Sequence, residues 1–511
     1  MSGYLLGYDI GSSAIKASLV DVDTGMAVAS AVSPRTEMEI TAVRKGWAEQ
    51  SPEMWWEHIV KATSEIRSET GSKADEIEAI GIAYQMHGLV AVDSVMRVVR
   101  PAIIWCDSRA VSIGRRAFEE IGKEKCLRRL LNSPGNFTAS KVKWVMENEP
   151  EIYEKIHRIM LPGDYIAMRM TGEIRTSVQG LSEAVLWDFE RREKAGFLMD
   201  YYGISSELIP DTVPAFSVQG ELTGNAVKEL GLKKGIKVCY RGGDQPNNAL
   251  SLNVLSPGEI AATAGTSGVV YGVTDSLDYD KDSRVNTFVH VNHSPEAPRY
   301  GVLLCVNGAG ILNSWLKETI SGPENQLVDY HKMNSMASDI PAGSEGLLVI
   351  PYGNGAERTL GDSEPGASIH GLCFNTHGQA HLCRAVQEGI AFALNYGLEI
   401  MREAGTEVKI IRAGHANMFL SPVFAKALST VSGADIELYD TDGARGAATG
   451  AGIGSGIYRD AGDAFRKFVP LVTVQPDMDT RENYLEAYGR WRHALACESD
   501  RLQQIRGSSS P

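Results

Sequence analysis

A strand–turn–strand unit occurs twice in this chain, roughly half of its 511 residues apart. The first copy runs from Tyr4–Ile10 through Gly11-Ser12-Ser13 into Ala14–Asp21. The second runs from Glu259–Ala264 through Gly265-Thr266-Ser267-Gly268 into Val269–Gly272. In each, an apolar run stops at a glycine followed by hydroxyl residues, and a second apolar run begins. Turns of this kind are common, so the tripeptide alone says little. The strand on each side of each turn makes the repetition informative. The chain reads as two related halves, each opening with a hairpin whose tip lets backbone amides approach an anion. Two such tips facing one another would hold a triphosphate from both sides.

The remaining organisation is consistent with this. Asp23-Thr24-Gly25 turns the first hairpin into Met26–Ala31, giving a β-meander. Ile77–Ala83 and Lys237–Arg241 read as further strands, ending at Tyr84-Gln85-Met86-His87-Gly88 and Gly242-Gly243-Asp244. Leu382, Val386, Ile390, Leu394 and Leu398 recur every four residues, the stripe of a core helix over His381–Ala404. Strands mixed with helices give an α/β class. The first half is expected to close near Asn248, giving domains 1–248 and 249–500 and a polar tail 501–511. The Gly242-Gly243 pair and Pro257-Gly258 bracket the crossing between the domains.

Composition narrows the partners. The net charge is −14 and no basic stripe is visible, so no nucleic-acid partner is expected. An anionic ligand must be held locally, by amides and a metal. The seven cysteines are scattered without a Cys-x-x-Cys, which suggests reduced thiols and no zinc site. No apolar run approaches the ~18 residues of a membrane helix. The N-terminus lacks a basic stretch followed by an apolar one. A cytoplasmic protein with no membrane partner is the expectation.

Three segments carry candidate chemistry. In Asp9-Ile10-Gly11-Ser12-Ser13-Ala14-Ile15-Lys16, amides, hydroxyls and a lysine cluster behind an acid at a strand end, where a carboxylate could hold Mg²⁺ directly or through water. The plain alternative is a decorated hairpin with an exposed lysine. Arg241-Gly242-Gly243-Asp244 places an acid at the mouth of a cleft, where it could take a proton from an attacking hydroxyl. It could equally cap the next helix. Tyr84–Gly88 and Trp105-Cys106-Asp107-Ser108-Arg109 mix apolar surface with polar groups, as a sugar site needs, although a lone His87 is as often structural. No Gly-x-x-x-x-Gly-Lys-Ser/Thr and no Gly-x-Gly-x-x-Gly occurs, which argues against P-loop, dinucleotide and protein-kinase folds.

Together these residues resemble the FGGY carbohydrate kinases, of the actin, hexokinase and heat-shock chaperone ATPase superfamily. The resemblance runs from Leu5 to about Gly456. It also includes Pro351-Tyr352 through Glu357-Arg358 and the stretch from Ala413-Gly414. Gln85–Gly88 with Trp-x-Asp-x-Arg is most similar to the xylulose kinases within the family. The resemblance implies two ribonuclease-H-like, actin-like ATPase domains around a central cleft, binding ATP, Mg²⁺ and a small sugar, with D-xylulose the expected acceptor. It implies Asp244 as catalytic base and Asp9 as the acid near metal and phosphate, holding Mg²⁺ through water. Met86, His87, Asp244, Gln245, Asp107 and Arg109 would surround the sugar. Gly11, Ser12, Ser13, Lys16, Gly265, Thr266 and Ser267 would line the phosphates, and Gly414, His415, Ala416 and Asn417 the adenosine.

The chain departs from the family pattern at three places. Ala413-Gly414-His415-Ala416 replaces the usual triple glycine, Gln245 replaces an Asn beside the catalytic acid, and Gly353-Asn354-Gly355-Ala356 is slightly long. Alternatives are a kinase for ribulose, another ketose or a glycerol-like polyol, an actin-like ATPase driven by a partner, or an inactive sugar-binding scaffold. Both acids together favour the kinase. A homodimer is a candidate assembly that the sequence does not fix.

Overall fold

The glycine-ended apolar runs become strands, and the turns between them become hairpin tips. The structure, a computed structural model, describes residues 3–322, 328–361 and 363–508. Strands β1 (Tyr4–Ile10), β2 (Ile15–Asp21) and β3 (Ala27–Ser33) form an antiparallel meander. β4 (Ile77–Tyr84) pairs parallel with β1. β5 (Phe216–Glu221) is an antiparallel edge on β6 (Lys237–Gly243), which itself runs parallel to β4. The order is β3-β2-β1-β4-β6-β5.

The second sheet repeats the plan. β7 (Glu259–Ala264) and β8 (Gly268–Thr274) form the hairpin; β9 (Asn286–Val289) is an antiparallel edge on β10 (Tyr300–Val306), which pairs antiparallel with β8. β11 (Ile410–Gly414) runs parallel to β7, β12 (Asp435–Tyr439) parallel to β11, and β13 (Val472–Val474) closes the sheet antiparallel. The order β3-β2-β1-β4-β6 thus recurs as β10-β8-β7-β11-β12, with the same strand directions. The two expected ribonuclease-H-like halves are present. In each, the hairpin tip and the parallel strand ends lie together, where open α/β sheets bind ligands.

The helices that matter below are α1 (Thr138–Asn148), α2 (Val178–Glu183), α3 (Asp244–Ser251), α4 (Ala309–Ile320), α5 (Gln379–Glu403), α6 (Gly443–Gly454) and α7 (Arg481–Ser508). α5 buries Val386, Ile390, Leu394 and Leu398 in the second core, as its stripe predicts. α7 adds Tyr484, Trp491 and Leu495 to that core. It carries the expected polar tail as helix to Ser508; residues 509–511 lie outside the described residues.

α6 follows the strands of the second half in sequence but packs on the first sheet. Its Ala447, Ala448 and Ala451 share a core with Leu5, Ala79, Ala83, Cys239 and Tyr240. The approach is backbone to backbone. A Cβ on Gly7 would lie 1.9 Å from the Ala444 carbonyl oxygen, and one on Gly81 would lie 1.9 Å from that of Ala447. Only glycine on the strands and small residues on the helix allow this spacing. The chain therefore crosses between its halves more than once. All seven cysteines are free. Among the described residues, no helix is long and apolar enough to cross a membrane.

Candidate active site

Two acids form the floor. Asp9 sits one residue from the end of β1, opposite Lys16 in the hairpin register. Its carboxylate rests on the N-terminus of α6, so that a Cβ on Gly443 would fall 2.5 Å from Oδ2. Asn247 Nδ2 on α3 donates to the Gly443 carbonyl at 2.8 Å and ties α3 to α6. Burial pushes the Asp9 carboxyl up; Lys16 opposes this, and Asp442 adds to it. Asp244 follows the last residue of β6 and is the first residue of α3. Burial and then the charge of Asp9 push its carboxyl up to about 7, against N–H groups donated by the Gln245 backbone and side chain. An acid tuned to neutral pH is what a general base needs.

A second group of candidate residues comes from the end of β4. His87 has a left-handed backbone, with φ of 60°. Its Nδ1 lies 2.8 Å from the Glu183 carbonyl oxygen. A carbonyl can only accept, so Nδ1 carries the proton. Burial pushes the imidazole down to about 3, so the ring is neutral and Nε2 is an acceptor. Phe137 meets the ring edge-on at 4.7 Å and Phe288 lies tilted at 5.3 Å. Phe288 belongs to β9, so both halves hold this histidine. Met86 is buried beside Gly243, whose Cβ would lie 2.6 Å from Met86 Cγ.

The Trp-x-Asp-x-Arg segment divides into two roles. Trp105 is 51% exposed, and its Nε1 donates to Ser12 Oγ at 3.3 Å, joining this loop to the first hairpin tip. Asp107 and Arg109, expected at the sugar, are instead drawn into a buried ion pair at 2.7 Å. Asp107 also accepts from the Ala48 amide at 2.6 Å. The Arg109 guanidinium lies over Trp47 at 3.9 Å and over Trp144 at 4.8 Å, and pairs with Glu49 at 2.7 Å. These two residues brace the wall from behind, because their polar atoms are already engaged within the protein.

Two residues of this region escape the sequence reading. Lys141 on α1 is fully buried, and its Nζ donates to the carbonyls of His87 at 2.9 Å and Ile104 at 3.0 Å. It thereby joins the β4 turn to the Trp105 loop, and burial pushes its ammonium down to about 7. Glu183 is buried at the end of α2, beneath His87. Neither has a sequence signature, since a lysine in a helix and a glutamate near a turn are ordinarily solvated.

On the opposite side, the second hairpin tip sits at the start of α4. The Gly265 carbonyl accepts from the Gly310 amide at 2.8 Å, and the Thr266 carbonyl from Ile311 at 3.3 Å. Thr266 is exposed, and Ser267 Oγ lies 3.4 Å from Asn307 Oδ1. The segment after β11 returns to this tip: a Cβ on Gly265 would lie 3.6 Å from Asn417 Nδ2. Gly414 ends β11, the His415 amide bonds the Tyr439 carbonyl at 2.8 Å, and His415, Ala416 and Asn417 are exposed. At the first tip, the Gly11 amide bonds the Ala14 carbonyl at 3.2 Å, and Ser13 and Lys16 face solvent. Among the described residues, no cluster of three or more His, Cys, Asp or Glu could hold a metal by itself.

Both halves of the chain are similar to known proteins. Residues 4–251 match the FGGY family of carbohydrate kinases, N-terminal domain, and residues 260–454 match the C-terminal domain of the same family. A xylulose kinase of Bacillus subtilis (strain 168) is 31% identical over 477 residues, which is 91% of each chain. An L-xylulose/3-keto-L-gulonate kinase of Escherichia coli (strain K12) is 28% identical over 505 residues, 97% of each chain. The crystal structure of a xylulose kinase from Brucella ovis matches with a TM-score of 0.87 at 25% identity, covering 98% of this chain and 100% of that one. With both of its domains matched in order and a relative above 30% identity along nearly its whole length, the chain belongs to the FGGY family of carbohydrate kinases.

Proposed function

We propose that the protein transfers the γ-phosphoryl of ATP to the C5 hydroxyl of D-xylulose, with Asp244 as general base. The observation that carries the chemistry is the Asp244 carboxyl, raised to about 7 at the junction of β6 and α3. The choice of sugar is supported by the Gln85–Gly88 and Trp105 segments and by the names of the relatives. The sugar hydroxyl oxygen attacks the γ-phosphorus, the bond to the β–γ bridging oxygen breaks, and ADP departs. The hydroxyl proton passes to the Asp244 carboxylate. In this reading Met86 and the neutral His87 orient the sugar, the two hairpin tips hold the phosphates, and the 414–417 segment faces the adenosine.

Mg²⁺ fits the donor set. The charge of Asp9 raises the pKa of Asp244, and a hard cation held beside Asp9 would offset that charge. Mg²⁺ keeps several waters and takes one or two carboxylates plus substrate phosphates, so a cage of protein ligands is not required. Asp9 would hold it, and the ion would offset negative charge on the phosphates. The full-length match to an L-xylulose/3-keto-L-gulonate kinase supports a second acceptor class, an L-ketose or a keto sugar acid. A panel of ketoses, polyols and sugar acids tests the choice. D-Xylulose should give the highest kcat/KM. A rival sugar about tenfold better, a gap of ~1.4 kcal/mol, overturns the substrate and leaves the kinase. ADP production independent of any sugar would instead indicate a partner-driven ATPase.

A further inference from the structure

Glu183 is a buried acid with no role in the chemistry described so far. It ends α2, is only 2% exposed, and its backbone carbonyl receives the His87 Nδ1–H at 2.8 Å. Its side chain reaches in the other direction. A Cβ on Gly243 would lie 2.6 Å from Glu183 Oε2, so the carboxyl packs directly on the backbone that precedes Asp244. Oε1 is buried and has no hydrogen-bond partner among the described residues. One residue therefore touches both ends of the acceptor site. Its own place is fixed from two sides: the Ser177 side chain caps α2, and Ser182 Oγ accepts from the Val289 amide of β9 at 2.9 Å.

We propose that Glu183 is a positioning residue of the acceptor site, whose carboxyl packs on Gly243 to seat Asp244 and whose carbonyl oxygen sets the orientation of the His87 imidazole. The reading rests on Asp244 being the base. The titratable groups facing Glu183 are Tyr84 on β4, Asp164, Asp244 on α3, Tyr271 on β8 and, through its ring nitrogen, His87. Asp164 is itself paired with Arg241 of β6 at 2.9 Å. Burial pushes the Glu183 carboxyl well above the usual range, and the charges of Asp164 and Asp244 push it further. Glu183 therefore holds its proton more tightly than an ordinary glutamate, which limits negative charge beside Asp244. A neutral carboxyl can pack on a backbone beside a charged base, whereas a second carboxylate there would repel it.

Two variants and one spectrum test this. Glu183→Leu keeps the bulk and removes the polar head. It should raise the sugar KM and lower kcat by about tenfold or more, with the ATP KM unchanged, because a misplaced reacting group costs rate. Glu183→Gln is neutral and nearly isosteric, and should restore kcat to within roughly threefold of wild type, the conservative rescue that a positioning role allows. In infrared difference spectra at neutral pH, wild type should show a protonated-carboxyl C=O band that Glu183→Gln lacks. Full activity in Glu183→Leu overturns the proposal, as does a Gln variant as impaired as the Leu variant, or a band unchanged by Glu183→Gln. If Glu183→Leu does not fold, the Gln kinetics and the band decide. The band does not depend on which sugar is phosphorylated or on which acid is the base, so its absence and a failure of the proposed activity are separate results.

Discussion

Asp9 Oδ2 packs so closely on Gly443 that a methyl group at position 443 would fall 2.5 Å from the carboxylate oxygen. Asp9 belongs to the first strand of the first half, and Gly443 to the first turn of a helix that follows the strands of the second half. Asp442 caps that helix by accepting the Arg445 amide at 2.8 Å. The helix N-terminus presents its positive end to Asp9 and partly balances the cost of burying an acid there.

Gly443→Ala should therefore disturb catalysis more than folding. The added methyl must push the carboxylate aside, and a shift of about an ångström in a reacting site can cost ~10²-fold in rate. Steady-state kinetics beside a thermal melt checks this. Wild-type kcat in the folded variant would show that Asp9 needs no fixed position.

If Asp9 organises Mg²⁺ as proposed, Asp9→Asn should lose turnover and recover part of it as Mg²⁺ is raised, because a weaker ligand replaces the carboxylate. A Mg²⁺ titration of kcat decides. If the half-saturating Mg²⁺ concentration is unchanged, Asp9 acts on something other than the metal.

Lys141→Met removes the donor shared by the His87 and Ile104 carbonyls. Each buried carbonyl left without a partner costs ~1–3 kcal/mol, so the variant should be less stable. It should also raise the sugar KM more than the ATP KM, because the two loops it joins carry Met86, His87 and Trp105. Equal effects on both substrates would mean that Lys141 supports the fold alone.

The raised carboxyl of Asp244 has two consequences in pH. Activity should rise as pH passes through about 7, where the base ionises. Stability should move the other way. The folded-state pKa lies above the ordinary 3.8, so the folded protein holds this proton more tightly than the unfolded chain. No stability is lost below the unfolded value; the loss grows as pH rises toward about 7 and is complete above it. Asp244→Asn, neutral throughout, should melt higher than wild type near pH ~8 and no higher near pH ~4. A lower melting temperature at both pH values would show that the carboxylate is not held at a cost.

The fold was largely legible in the sequence because its signals are local. Strand, glycine and hydroxyl turn stand together in the chain at Gly11 and Gly265, and the α5 stripe repeats every four residues. The positions of Asp9 and Asp244, one near the end of β1 and one just past β6, were also legible, since each stands at the edge of an apolar run beside glycine. What was not legible depends on contacts far apart in sequence. The packing of α6 on the first sheet follows from Gly7 and Gly81 meeting Ala444 and Ala447, which no local pattern announces. Asp107 and Arg109 looked like sugar ligands because they are polar and follow Trp105. The burial of Arg109 against Trp47, Trp144 and Glu49, with Asp107 paired to it, is visible only once those residues converge. Lys141 and Glu183 stayed hidden for the same reason.

The central claim is that Asp244 takes the proton from the sugar hydroxyl, and turnover of purified Asp244→Asn tests it most directly. Loss of a general base typically costs about 10²–10⁴-fold in rate. The loose phosphoryl-transfer transition state makes little demand on the base for holding the nucleotide. The folded variant should therefore bind ATP and sugar with near wild-type affinity while kcat falls by at least about a hundredfold. A folded Asp244→Asn that retains more than roughly a tenth of wild-type kcat would contradict the account, since that is well short of the loss expected for a base.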